Sequence, residues 1–323
     1  ARINYDSNGQ NGHILLEPTS TNEITYSEDF NNAYWAKTGS PTITLNYGVS
    51  PSGENNSVRI QGNSSTAIYH SGGFSATDAR SIFVKATSGS GNIQLLTHNG
   101  NTDNVFSINE NWQRVEINTS SSVSSLFYAV DMRGASTDIF DIEIWGAQVE
   151  NLSYSTSYIP TLTGSTVTRA TETLTGSGNS TLINSTEGVL YAEIEAFENG
   201  VTTRSISLSD ETNDNVIFIR LDTTASRINS FARGGGGSYN ILTVNGVNQT
   251  NNNKIALVWD NSNVRVWING SQSLTQTINN SPIGMKTLTF TSPSGSEFFY
   301  GKCKALAVFN EALSDTQLTN LTS

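Results

Sequence analysis

Residues 140–161 read FDIEIWGAQVENLSYSTSYIPT, and the way this stretch is divided decides how the whole chain is divided. Phe140, Ile142 and Ile144 alternate with Asp141, Glu143 and Trp145, the period-two pattern of a strand with one buried face. Gly146 breaks the alternation. The residues after it have no amphipathic period, contain Pro160, and run into Ser/Thr-rich chain as far as Asn184. The stretch therefore reads as a last strand passing into an extended connector, a seam between two domains. Tyr154 and Tyr158 are expected to pin that connector to the sandwich edge, since a tyrosine ring buries area while its hydroxyl stays in water.

Working outward, short alternating segments recur on both sides of the seam. SIFVKA, NIQLL, WQRVEI and SLFYAV precede it; VLYAEIEAF, VIFIRLD, KIALVWD, VRVWING and TLTF follow it. Val, Ile, Phe, Tyr and Thr dominate them, and Gly, Asn, Ser and Asp clusters bound them, as strands and turns require. Only EALSDTQLTNL near the C-terminus reads as helix, with Ser314 as its N-cap. Many short strands and almost no helix predict an all-β chain of two antiparallel β-sandwiches.

Composition narrows the function. The 323 residues carry 17 Lys and Arg against 28 Asp and Glu, a net charge of −11, and charged residues make up only 14%. A surface that tracks phosphates needs clustered cations, so nucleic acid is excluded as a partner. No apolar run is long enough to span a bilayer, so no membrane insertion is expected. ARINYDSNGQ has no apolar signal region and does not begin with Met, so the chain is expected to be an excised piece of something longer. Cys303 is the single cysteine; it excludes an internal disulfide and is expected to be a buried apolar side chain.

LLEPTSTNEITYSEDFNNAYW, SPSGENNSVRI, SIFVKA, NWQRVEI and IWGAQVENLSYSTSYIPT occur in that order across residues 1–170. The series resembles a module common in bacteriophage tail and virion proteins and found also in secreted proteins of marine bacteria. Here the turn is SPSG where the usual form has SPDG. The resemblance implies a jelly roll similar to carbohydrate-binding modules. GVLYAEIEAF, KIALVWDNSNVRVWINGSQ and GKCKALAVFNEALSDTQLTNL resemble the early strand, central hairpin and closing strand-plus-helix of a laminin-G-like, concanavalin A-like sandwich. The expected division is a leader over 1–20, a jelly roll over 21–161, a linker over 162–184 and the laminin-G-like domain over 185–323.

The sharpest enzymatic signal is Glu193 and Glu195 in YAEIEAFENG, which share one strand face about 7 Å apart. Paired carboxylates are what glycoside hydrolysis needs. The spacing resembles the E-x-D-x-x-E strand of laminarinase-like hydrolases, but Glu replaces the middle Asp and no Trp or His stands on the strand. The expectation is a polar face and no catalytic residues. The three histidines are His13, His70 and His98; none lies in 185–323, which excludes a Ser-His-Asp site there. GGGG at 234–237 lacks the Lys-Ser/Thr of a phosphate-binding loop and reads as a flexible turn.

For glycan binding, strand phase selects Lys85, Gln94, His98, Asp131 and Arg133, all opposite to neighbouring core positions. If their strands are neighbours, these side chains converge on one sheet face, where charged and amide groups can fork hydrogen bonds to sugar hydroxyls. Trp35, Trp112 and Trp145 stand where the family pattern itself carries Trp and read as scaffold. Trp259 shares the phase of Ile255 and Leu257 and reads as core, whereas Trp267, in phase with Arg265, reads as an exposed stacking ring. Jelly-roll modules of this type often hold a structural calcium, and Glu28 or Asp29 with Asp141 are its candidate ligands. The resulting expectation is a non-catalytic glycan-binding module on a virion surface or outside the cell, part of a tail fibre attaching to host-surface polysaccharide, as a homo-oligomer or within a larger virion assembly. Three alternatives compete: the binding region of a secreted polysaccharide-degrading enzyme, a glycan-cleaving enzyme using Glu193 and Glu195, and a structural spacer.

Overall fold

In the computed structural model, the structure describes residues 2–5, 9–75, 77–96, 104–117 and 127–323. These residues form antiparallel sheets with one short helix, an all-β architecture as the alternation predicts. The chain divides into two units, Thr19–Ala170 and a second made of Ala1–Pro18 with Thr171–Ser323. No helix among the described residues is long and apolar enough to cross a membrane.

The Thr19–Ala170 unit contains two five-stranded sheets. One runs in the order Val105–Asn109, Ser90–Leu95, Phe127–Asp131, Ala67–Ser71 and Ala36–Thr38. The other runs Gln113–Ile117, Ala79–Ala86, Asp141–Glu150, Val58–Gln61 and Thr42–Thr44. Their inner faces share one core that includes Ile68, Ile82, Val84, Ile93, Tyr128, Val130, Ile142 and Ile144. The first part of the connector is not free chain. Val167–Arg169 pairs with Ser20–Asn22.

The opening stretch is one strand rather than a strand that stops at Gly146. Asp141–Glu150 continues through a bulge between Trp145 and Gln148, with Gly146 at φ +69°. The extra residue shifts the phase, so Ala147 and Val149 take over the inward positions from Ile142 and Ile144. Tyr158 then packs on Trp145 with ring centroids 4.5 Å apart. Its hydroxyl is not in water: it donates to Glu28 Oε1 at 2.9 Å and lies 2.6 Å from Ser27 Oγ, and burial pushes its pKa far up.

Beneath this segment lies a buried polar network. Glu150, wholly buried, accepts hydrogen bonds from Ser20 Oγ (2.7 Å), Gln148 Nε2 (2.6 Å), Thr156 N (2.8 Å) and Thr156 Oγ1. Gln148 Oε1 accepts from Ile159 N at 2.7 Å, and Asn22 Nδ2 donates to the carbonyls of Ala147 and Ile159. The Gln, Glu, Thr and Ile of QVE…TSYI are thereby fastened to the STN near the start of the unit.

The other unit pairs a seven-stranded sheet with a five-stranded one. The first runs Arg2–Asn4, His13–Leu16, Gly301–Phe309, Gly188–Ala196, Asn253–Trp259, Asn263–Ile268 and Ser271–Thr277. The second runs Asn240–Asn245, Arg227–Arg233, Val216–Leu221, Arg204–Ser209 and Thr287–Thr289. Leu16 is fully buried in this unit's core beside Leu190, Ile255, Leu257 and Trp259. Residues read as a leader therefore supply two strands to this sheet. The helix Asp315–Thr322 is capped by Ser314 through a reciprocal capping box with Gln317. Leu318 seats it on Val189, Tyr191, Ala256, Val258 and Trp267, which form the outward face of the seven-stranded sheet.

Candidate functional site

Three of the residues selected by strand phase come together. Gln94 and Asp131 are direct cross-strand partners, and both leave the sheet on the side opposite Ile93, Leu95, Tyr128 and Val130. Asp131 is 2% exposed and Gln94 4%, so this outward face is sheltered. Arg133 folds back onto Asp131 as a fork, Nε donating to Oδ1 at 2.9 Å and Nη2 to Oδ2 at 2.8 Å. That pairing raises the guanidinium pKa above its ordinary value and fixes its plane, with 28% of the side chain still exposed. Gln94 Nε2 has no hydrogen-bond partner among the described residues. Gly134 leaves room for this side chain: a Cβ there would fall 2.8 Å from Gln94 Oε1.

Two aromatic residues that were not selected complete the face. Tyr69 stands opposite Ala129 on the adjoining strand, and its ring meets Phe127 edge-on at 5.9 Å. The signal was present in the sequence, since Tyr69 alternates with Ile68, and Phe127 with Tyr128. The face thus offers an oriented guanidinium and a half-buried pair of rings beside the buried Gln94 amide, a combination that suits sugar hydroxyls beside C–H surfaces.

The remaining candidates are placed elsewhere. Lys85 lies on Ala79–Ala86 in the other sheet, paired with Glu143 at 2.8 Å and poised over the Trp112 ring at 5.3 Å. Alternation fixes the side of its own strand from which a side chain leaves, but not which of two sheets holds the strand. His98 lies outside the described residues. Trp267 is 6% exposed, which corrects the expectation of a free stacking ring; the C-terminal helix covers the face it projects from.

Of the acidic calcium candidates, Glu28 and Asp29 line one concavity with Asn46 and Asn56, and Asp141 is not among its lining residues. Asp141 is forked by Arg59, Nε to Oδ1 at 2.8 Å and Nη2 to Oδ2 at 2.6 Å, which holds its carboxyl below the usual carboxylate range. Glu28 accepts from Tyr158 and from Asn56 Nδ2 at 2.9 Å, and Asp29 Oδ1 accepts from Asn31 N. Among the described residues no group of three or more His, Cys, Asp or Glu is placed to hold a metal ion.

In the other unit, Glu195 is paired with Lys302 Nζ at 2.7 Å and Glu193 accepts from Asn252 Nδ2 at 2.7 Å, so each carboxylate has its own polar partner. His13 belongs to this unit's seven-stranded sheet, so the sandwich does contain a histidine, contrary to the expectation that excluded one. Its Nδ1 faces the Asn11 carbonyl at 3.3 Å. Cys303 is buried as expected, and burial pushes its thiol up to about 12. The glycine run is tied down rather than loose: Arg233 donates to the carbonyls of Gly237 and Gly236 at 2.6 and 2.8 Å.

Residues 175–319 match a family described as the concanavalin A-like lectin/glucanases superfamily. A search of curated protein sequences found no match. Among solved structures, the chain is similar to the CBM40 of the Ruminococcus gnavus IT-sialidase bound to α2,3-sialyllactose, with 17% identity over 47% of this chain and 97% of that one, TM-score 0.39. It is also similar to the native heptameric SAP-like pentraxin of Limulus polyphemus, with 16% identity over 47% and 75% of the two chains, TM-score 0.38. A third likeness is to domain 4 of the Geobacillus stearothermophilus arabinanase AbnA in complex with arabinotriose, with 15% identity over 44% and 69%, TM-score 0.35.

Proposed function

We propose that the chain is a non-catalytic glycan-binding module whose primary site is the outward face carrying Gln94, Asp131 and Arg133. The observation that carries this reading is the convergence of an oriented, part-exposed guanidinium and the Tyr69–Phe127 ring pair on one sheltered face, beside the buried Gln94 amide. Hydroxyls or an acidic group of a sugar accept from the donors, while a C–H face lies toward the rings. The match of residues 175–319 to a lectin and glucanase superfamily is compatible with this reading. We further infer a setting on a virion surface or outside the cell, as part of a tail fibre attaching to host polysaccharide; this finer reading rests on the ordered motif series of residues 1–170.

The test is a glycan array probed with the full chain, followed by incubation with every polysaccharide retained. The expected result is saturable binding with no release of reducing ends or unsaturated sugars. Release that disappears in Glu193→Gln or Glu195→Gln would replace the binding role by a catalytic one.

A further inference from the structure

A second concavity lies in the Thr19–Ala170 unit, a cleft of about 390 Å³ lined in part by Glu23, Tyr34, His70, Phe74, Asp78 and Asn151. Its size is within the range of sites that hold one or two sugar residues (about 300–1,000 Å³ for small-molecule pockets). None of these residues belongs to the Arg133 face. Tyr34 and His70 are stacked, with centroids 3.6 Å apart and planes at 13°, and Phe74 lies 6.1 Å from the imidazole. Gly72 and Gly73 also line the cleft, contributing no side chain to fill it, with Gly73 at φ +70°.

The carboxylates lining the cleft are Glu23 and Asp78, and Thr25, Tyr34, Ser75 and Asn151 add hydroxyl and amide groups. His70 Nδ1 donates to the Tyr34 carbonyl at 3.0 Å, which leaves Nε2 as the accepting nitrogen. Asp78, 6% exposed, uses Oδ2 to accept from Ser75 N at 2.7 Å, and its other oxygen has no hydrogen-bond partner among the described residues. The half-buried Glu23 carboxylate accepts no hydrogen bond and forms no ion pair among the described residues. Two carboxylates and an imidazole beside stacked rings suit a ligand rich in O–H donors with an apolar face, and the buried Arg80 guanidinium, which donates to the Asp78 and Ser75 carbonyls, offsets part of the negative charge.

We propose that this cleft is a second ligand site, taking one or two residues of an uncharged sugar whose hydroxyls donate to Glu23 and Asp78 beside the Tyr34 and Phe74 rings. The Arg133 face differs in presenting a guanidinium paired with its own carboxylate, so the two places differ in the groups they offer a sugar. The two sites share no residue, and either can fail without the other.

The experiment is an amide-resolved NMR titration of the full chain with maltose, lactose, N,N′-diacetylchitobiose and, as the anionic comparison, digalacturonate. At least one neutral disaccharide is expected to move the Gly72 and Gly73 amides with a Kd of about 0.1–5 mM, while digalacturonate leaves them in place. Glu23→Ala should weaken that binding about tenfold or more, as for loss of a hydrogen bond to a charged group. Asn151→Trp, at an exposed position on the rim, should abolish it with the rest of the spectrum unchanged. If Asn151→Trp fails to fold, Glu23→Ala alone decides. Gly72 and Gly73 amides that stay still at about 20 mM of all three neutral sugars would overturn the proposal, as would an equal response to digalacturonate or wild-type affinity in Glu23→Ala. Shifts confined to the surroundings of Arg133 and Gly134 would overturn this site and leave the first one standing.

Discussion

Glu150→Ala is expected to destabilise the Thr19–Ala170 unit by about 3–5 kcal/mol, because each buried donor left without an acceptor costs about 1–3 kcal/mol and the losses add only in part. The substitution takes the acceptor from Ser20 Oγ and Thr156 N, and leaves Gln148 Nε2 and Thr156 Oγ1 only their longer contacts to the Thr156 and Ser157 carbonyls, in a site with no solvent access. It also unties the 151–161 segment from the strand Ser20–Asn22, so Tyr158 loses its seat on Trp145. Glu150→Gln keeps the volume but turns an amide donor toward donors, and should recover only part of the loss. Glu54→Ala, at an exposed position, is the control and should stay within about 0.5 kcal/mol. Differential scanning calorimetry of the full chain reads all three. An unchanged transition in Glu150→Ala would mean that the motif does not serve to lock the segment.

Trp267→Ala is expected to cost about 3–5 kcal/mol in the other unit, the range for emptying a buried aromatic site. The ring packs among Val189, Tyr191, Ala256 and Val258 under Leu318 of the helix, so its removal also takes away the surface that seats Asp315–Thr322. Trp267→Phe should cost much less, since it keeps most of the packing and removes an indole N–H that has no partner among the described residues. Chemical denaturation followed by far-ultraviolet circular dichroism separates this from a stacking role. A platform tryptophan would lose glycan binding on truncation with its stability intact; a packing tryptophan loses stability.

Strand existence was legible because many strands repeat the same local choice, a β-branched or aromatic residue inward and a polar one outward, while Gly188–Ala196 and Asn253–Trp259 carry apolar residues on both faces. The same logic correctly brought Gln94, Asp131 and Arg133 to one face, since each lies one step from a core residue on adjoining strands. It failed for Lys85 because sheet membership is a long-range property. It failed for Trp267 because an outward phase on a sheet is exposed only if nothing docks there, and the docking helix lies about fifty residues downstream. The His13–Leu16 strand was invisible for a different reason: four residues carry too little periodicity to declare a strand, and only pairing with Gly301–Phe309 gives Leu16 a core to enter. The cleft at Glu23, His70 and Asp78 has no sequence signature, because its residues are gathered from several separate segments.

Phase alone does not show that Arg133 is forked onto a buried carboxylate. Its carboxylate partner Asp131 is 2% exposed, so truncating the arginine strips the fork from a buried charge and must cost stability as well as binding. Arg133→Lys avoids that confusion, because the positive charge stays beside Asp131 while the planar fork and its bidentate geometry are lost. The most direct measurement is therefore a calorimetric titration of wild type and Arg133→Lys with the glycan retained most strongly on the array, alongside their melting temperatures. The account predicts a Kd about tenfold or more weaker in Arg133→Lys, with melting temperatures within a few degrees of each other. Equal affinities for the two proteins would contradict it.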